Sequence, residues 1–115
     1  MTQVAGDRSP LRAMLPAIVD QVVAQVHPVR VIVFGSVARG DERSDSDVDL
    51  LVVLDHVDPK QRAHVMAQIR RAITAPASVD VLVTDVAEFE RRKSVNGSFL
   101  YWPAREGEVI YERAA

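Results

Sequence analysis

The chain of 115 residues contains no cysteine. That excludes a disulfide framework and a thiolate metal site. No apolar run approaches the roughly 18 residues of a membrane helix. The opening MTQVAGDRSP lacks the basic-then-apolar pattern of a signal peptide. These absences predict a soluble, cytoplasmic protein with no membrane partner. No Gly-x4-Gly-Lys-Ser/Thr string occurs, which removes a Walker-type phosphate loop. Charge of one sign is also lacking, with a net charge of only -2. Nucleic-acid binders are usually more basic, so direct nucleic-acid binding is not expected. Histidines are few, and His27, His56 and His64 are too scattered to form a metal set. Aromatics are scarce as well, yet Phe99, Tyr101 and Trp102 crowd into one short stretch. They either close the core or form an exposed anchor for a partner.

The length predicts a single domain over 1–115, with 1–8 as a flexible N-terminus. Ser9-Pro10 reads as a helix cap followed by proline. Leu11, Leu15, Ile18, Val22 and Val26 then recur on one helical face. Pro16 conflicts with that helix, so either it kinks there or its regular part begins near Leu15. Strands are expected at Val29–Phe34, Val48–Leu54 and Ser78–Thr84, with a last edge strand at Glu108–Glu112. The continuous Leu-Leu-Val-Val-Leu of the second strand predicts burial on both faces. Helices are expected over Ser36–Arg39, from Asp58-Pro59 onward, over Val86–Lys93 and over Ser98–Arg105. The helix after Pro59 should bury Ala63, Met66, Ile69 and Ile73. This order predicts an α+β fold of α/β layers, a small mixed sheet flanked by helices.

The chemistry concentrates in "VFGSVARGDERSDSDVDLLVV", residues 33–53. Asp47 and Asp49 are two apart at a strand start, so their carboxylates leave on the same side. Two such anions resist sharing a site without a proton or a cation. An all-oxygen donor pair suits Mg²⁺ or Mn²⁺ rather than zinc. Asp80 interrupts the apolar third strand, and a buried carboxylate there asks for a partner. If that strand lies beside the second, Asp80 completes a three-carboxylate set. Such a set suits two metal ions roughly 3.5–4 Å apart on a phosphoryl group. Otherwise Asp80 is an acid satisfied by backbone or by an arginine.

Gly35-Ser36 stands where a strand ends and a helix begins, a place for backbone N–H groups to meet phosphate. Arg39 and Arg43 are near enough in sequence to neutralise it. Arg39 could equally bind the last carbonyls of its own short helix. Ser46 is a candidate nucleotide contact or a turn residue, and Asp41 and Asp45 read as loop residues. Phosphate-binding backbone, a carboxylate pair and a third carboxylate together suggest metal-assisted nucleotidyl transfer.

Gly35-Ser36, ten residues, then Asp47-Val48-Asp49 resembles the signature of the DNA polymerase β-like nucleotidyltransferases. The string "FGSVARGDERSDSDVDLLVVL" is similar to that of the minimal nucleotidyltransferases, antitoxin-type proteins encoded beside HEPN-domain toxins. The first helix before the strand and the C-terminal "REGEVIYE" are similar too. The resemblance spans roughly residues 10–112. It implies a polymerase β palm-like nucleotidyltransferase fold. It implies Asp47, Asp49 and Asp80 as metal ligands and catalytic acids, with two Mg²⁺ ions and Asp80 assisting the attacking hydroxyl. It implies Gly35 and Ser36 at the triphosphate, with ATP as substrate. The implied reaction moves AMP to a tyrosine of a partner HEPN toxin in a hetero-oligomer. Two other functions compete: a non-catalytic antitoxin that masks the toxin, and a nucleotidyltransferase acting on a small molecule.

Overall fold

The computed structural model of the chain describes residues 10–43 and 45–114. The expected terminus at 1–8 and the Ser9 cap lie outside them. Two helices open the fold, α1 at Pro10–Ala13 and α2 at Leu15–Val26. The break at Met14 resolves the conflict at Pro16. It places the proline in the first turn of α2, where a missing N–H has no helical partner to lose. The amide of His27, in the left-handed region, closes α2 on the Val23 carbonyl at 3.0 Å.

The chain then runs β1 (Arg30–Phe34), α3 (Gly35–Arg39) and β2 (Val48–Leu54). Asp58 caps a 3₁₀ turn at Pro59–Gln61, which leads into α4 (Arg62–Ala72). After β3 (Val79–Asp85) come α5 (Val86–Arg92), α6 (Tyr101–Glu106) and β4 (Glu108–Glu112). β1 and β3 each start one residue later than expected, and β2 and β4 stand as predicted. Pro103 is buried in the first turn of α6, where it costs no helical hydrogen bond.

The sheet is mixed, ordered β3-β2-β1-β4. β1 is antiparallel to β2 and to β4, with a register shift in the second ladder at Val31/Ile32. β2 and β3 are parallel. Alternation along each strand gives the sheet two faces. One face carries Val31, Val33, Leu50, Val52, Val81 and Val83 against Ile18 and Val22 of α2 and Ile69 of α4. The other carries Ile32, Leu51 and Val53 against Phe89 of α5 and Leu100 before α6. Leu50 to Val53 are therefore buried from both sides, as the unbroken apolar run predicted.

One core expectation needs correction. Ala63 is exposed. Ile69 fixes the buried stripe of α4, the expected Met66 and Ile73 pack half-buried beside it, and Val65 joins them in place of Ala63. Of the crowded aromatics, left open between core and surface, Phe99 and Trp102 do not close the core. Leu100 and Phe89 do so. Trp102 is 59% exposed and Phe99 36%. Arg62 and Arg92 lie over the Phe99 ring at 5.7 and 5.8 Å. Their aliphatic stems and charge can shield an aromatic that points outward.

Candidate active site

The second sheet face is only partly covered by α5 and α6, and the acidic residues occupy the remainder. Asp49 follows the pleat onto the face of Leu51 and Val53. The parallel register sets Asp80 directly beside it. In-register neighbours share a face and stand about one strand spacing, about 4.8 Å, apart at the backbone. Asp47 precedes β2 by one residue and, two before Asp49, leaves on the same side. The condition set on Asp80 by the sequence, that its strand lie beside β2, is met. Its expected burial is not: Asp80 is exposed, because the helices stop short of this end of β3.

Asp49 is the half-buried member. Burial pushes its carboxyl above the usual carboxylate range, and the negative charges of Asp80 and Asp47 push it further. Arg39 pulls it back. Each of the three groups is thus within electrostatic reach of Asp49. The geometry falls short of a closed ligand cage. Among the described residues, no three His, Cys, Asp or Glu side chains are gathered tightly enough to enclose an ion. The donor chemistry still fits a hard divalent cation, since it is all carboxylate oxygen on one open corner. A cation would relieve the mutual repulsion that raises Asp49.

Gly35 connects the two halves of the motif. Phe34 pairs with Asp49 across the β1–β2 ladder, and Gly35 turns away with φ +74°. A Cβ at Gly35 would collide with the Asp49 carboxylate. The glycine therefore permits both the left-handed turn and the close approach of backbone to acid. α3 starts here with no side-chain cap. Among the described residues, the half-buried Ser36 hydroxyl has no hydrogen-bond partner. The Gly35 backbone thus lies against the Asp49 carboxylate, and Ser36 follows it at the start of α3, an arrangement of the kind phosphate recognition uses.

Arg39 does not cap its own helix. Its Nε donates to Asp41 Oδ2 at 3.2 Å and its Nη1 to Glu106 Oε1 at 3.0 Å. Asp41 is thus a loop residue with a definite partner. Ser46 closes the loop before β2: its hydroxyl accepts from the Arg43 amide at 2.7 Å, and its own amide donates to the Arg43 carbonyl. That is the turn role, one of the two considered for Ser46. The Arg43 guanidinium, exposed, has no partner among the described residues. Asp45, His27, His56 and His64 are exposed, as expected.

Sequence reasoning missed Glu106 and Gly107. Their signal was present in "REGEVIYE", read only as a likeness. A Cβ at Gly107 would strike the Pro103 carbonyl oxygen and the Ile32 side chain, so this glycine lets α6 lie close on β1. A groove of about 620 Å³ lies elsewhere, between α2 and β4, lined in part by Leu15, Pro16, Val19 and Val109. It holds none of the three aspartates.

The family model described as "Polymerase beta, Nucleotidyltransferase" matches residues 18–115. A solved structure of a "putative nucleotidyltransferase from Sulfolobus solfataricus" superposes with a TM-score of 0.68. That similarity covers 97% of this chain and 91% of the other, at 24% identity. At such identity the likeness is one of fold. No curated protein matches the chain.

Proposed function

The chain belongs to the polymerase β-type nucleotidyltransferase family, and from that premise we propose that it is an antitoxin that transfers AMP from ATP to a tyrosine of a partner HEPN toxin. The fold is the α+β nucleotidyltransferase fold, and the general chemistry of the family is nucleotidyl transfer. The reading that goes further rests on one observation above all. The β2–β3 register stands Asp80 beside Asp49, and Gly35 lies against Asp49 from the other side. The acids and the backbone proposed to bind phosphate thus meet at one corner.

In this reading Asp47, Asp49 and Asp80 hold divalent ions, Mg²⁺ or Mn²⁺, which supply charge neutralisation and Lewis acidity at the phosphoryl group. The backbone at Gly35 and the Ser36 hydroxyl hold the triphosphate. Asp80, exposed beside Asp49, would take the proton of the attacking tyrosine hydroxyl. A bond forms between the tyrosine oxygen and the α-phosphorus. The bond from that phosphorus to the β-phosphate bridging oxygen breaks, and pyrophosphate leaves. The site is open, with Asp47 and Asp80 at the surface, which suits an acceptor carried on a protein. No helix among the described residues is long and apolar enough to cross a membrane. The proposed setting is the cytoplasm.

A second reading, masking of the toxin without catalysis, draws on the outward Trp102 and Phe99. Aromatic side chains are enriched at interface cores. One experiment separates the two. The protein is incubated with the product of the neighbouring gene, ATP and Mg²⁺, and intact masses are taken. Transfer predicts an AMP-sized increment on the partner that disappears with Asp47→Asn and Asp49→Asn. A tight complex without the increment, neutralised equally well by those variants, would sink the catalytic reading.

A further inference from the structure

Arg39 is the last residue of α3, one turn beyond Gly35, which lies against the Asp49 carboxylate. Two carboxylates grip its guanidinium. Asp41 takes Nε from the following loop, and Glu106 takes Nη1 from the end of α6, 67 positions away in sequence. Nη2 donates to no described residue, so one prong of the fork is unspent. Glu106 is itself held in place. Its side chain is only 29% exposed, and the next residue, Gly107, allows no atom between α6 and Ile32 of β1. We propose that Glu106, with Asp41 opposite, is a positioning residue that aims Arg39 at the phosphates of a nucleoside triphosphate. The proposal rests on the reading of this corner as a nucleotide site.

The physical argument is one of preorganisation. A free arginine side chain has many rotamers, and ordering it on a ligand is costly. Two anions on different edges of the planar fork select one orientation beforehand. As a stabiliser the pair contributes little, since Arg39 is about half exposed and exposed ion pairs are weak. Its effect should therefore be read in phosphate binding rather than in folding. In a competing role Glu106 and Asp41 merely occupy the arginine and phosphate must displace them. The two roles predict opposite signs.

The test is calorimetric binding of α,β-methylene ATP and, separately, of AMP, both with Mg²⁺. Glu106→Gln should weaken binding of the triphosphate analogue about fivefold, the upper end of what an exposed ion pair contributes. AMP binding and the thermal midpoint should be little changed. In an Arg39→Met background the Glu106→Gln effect should vanish, since a residue acting through Arg39 has nothing left to aim. Asp41→Asn, remote from the Gly107 packing, should weaken the analogue in the same direction and serves if Glu106→Gln disturbs folding. Tighter binding by the variants, an equal loss for AMP, or an unchanged effect without Arg39 overturns the proposal. If the wild-type protein binds the analogue and both variants match it, only this inference falls. If the wild-type protein binds no triphosphate, the nucleotide reading falls with it.

Discussion

Gly35 carries two constraints at once, a left-handed backbone and a missing Cβ beside Asp49. Gly35→Ala should destabilise the fold by about 1–3 kcal/mol, the range for a residue forced into sparsely populated backbone space. Urea unfolding checks it, with Gly40→Ala as the control: Gly40 is also left-handed, but a Cβ there would meet nothing within 4 Å. The larger loss at Gly35 is the collision. Asp49 tests the opposite trade. Burial and two like charges raise its folded pKa, so stability falls as the pH climbs from the unfolded value, about 3.9, to the raised folded one, and the full penalty persists above it. Asp49→Asn should raise the thermal midpoint of the metal-free protein at neutral pH, measured in chelator. A lower midpoint would mean that the carboxylate is satisfied there by groups other than a cation. Most of this corner was legible at the level of single residues. Asp47, Asp49, Gly35 and Ser36 follow from spacing and residue type. The clamp on Arg39 does not, because Glu106 reaches it from the far end of the chain.

Among the elements, α5 shows how a local signal becomes a pH response. Asp85 ends β3 and caps α5, accepting from the Glu88 amide at 2.9 Å and from the Val57 amide at 3.1 Å. The bond from Glu88 holds its carboxyl below the usual aspartate range, and the bond from Val57 adds to that against the cost of burial. Burial pushes Glu88 up, but hydrogen bonds from Arg62 and Thr84 outweigh it and leave it lowered. Both folded values are depressed, so both contribute stability above their unfolded values, about 3.9 for Asp and 4.3 for Glu. That contribution should fade as the pH falls below about 4 toward the lower folded values. In Asp85→Asn the acid-induced loss should shrink, as followed by urea unfolding at a series of pH values. An unchanged acid slope would show that the cap does not titrate with folding. Asp85 stands directly before the helix expected over Val86–Lys93, so the cap is a local feature of the sequence. The role of Val57 was not, since that amide comes from a loop nearly thirty residues upstream.

For the whole molecule, the decisive feature is that β2 and β3 are neighbours and parallel. Three like charges gathered on an open corner should make the folded state responsive to divalent cations. An ion that binds only the folded chain stabilises it by RT ln(1 + [L]/Kd), about 2.7 kcal/mol at a hundredfold excess over Kd. Millimolar Mg²⁺ or Mn²⁺ should therefore raise the wild-type thermal midpoint, and Asp80→Asn should blunt the rise. Equal response in the two proteins would remove Asp80 from the cation site. The sequence by itself determined the elements, because apolar period, caps and glycine breaks are local properties of a few consecutive residues. It also determined that Asp47 and Asp49 leave a strand together, since that follows from the pleat alone. Tertiary structure decided the rest. Strand order set Asp80 beside Asp49, partial covering of one sheet face left the acids open, and close packing of α6 on β1 brought Glu106 to Arg39. Each of these depends on which surfaces bury one another, and that is settled only when the whole core assembles.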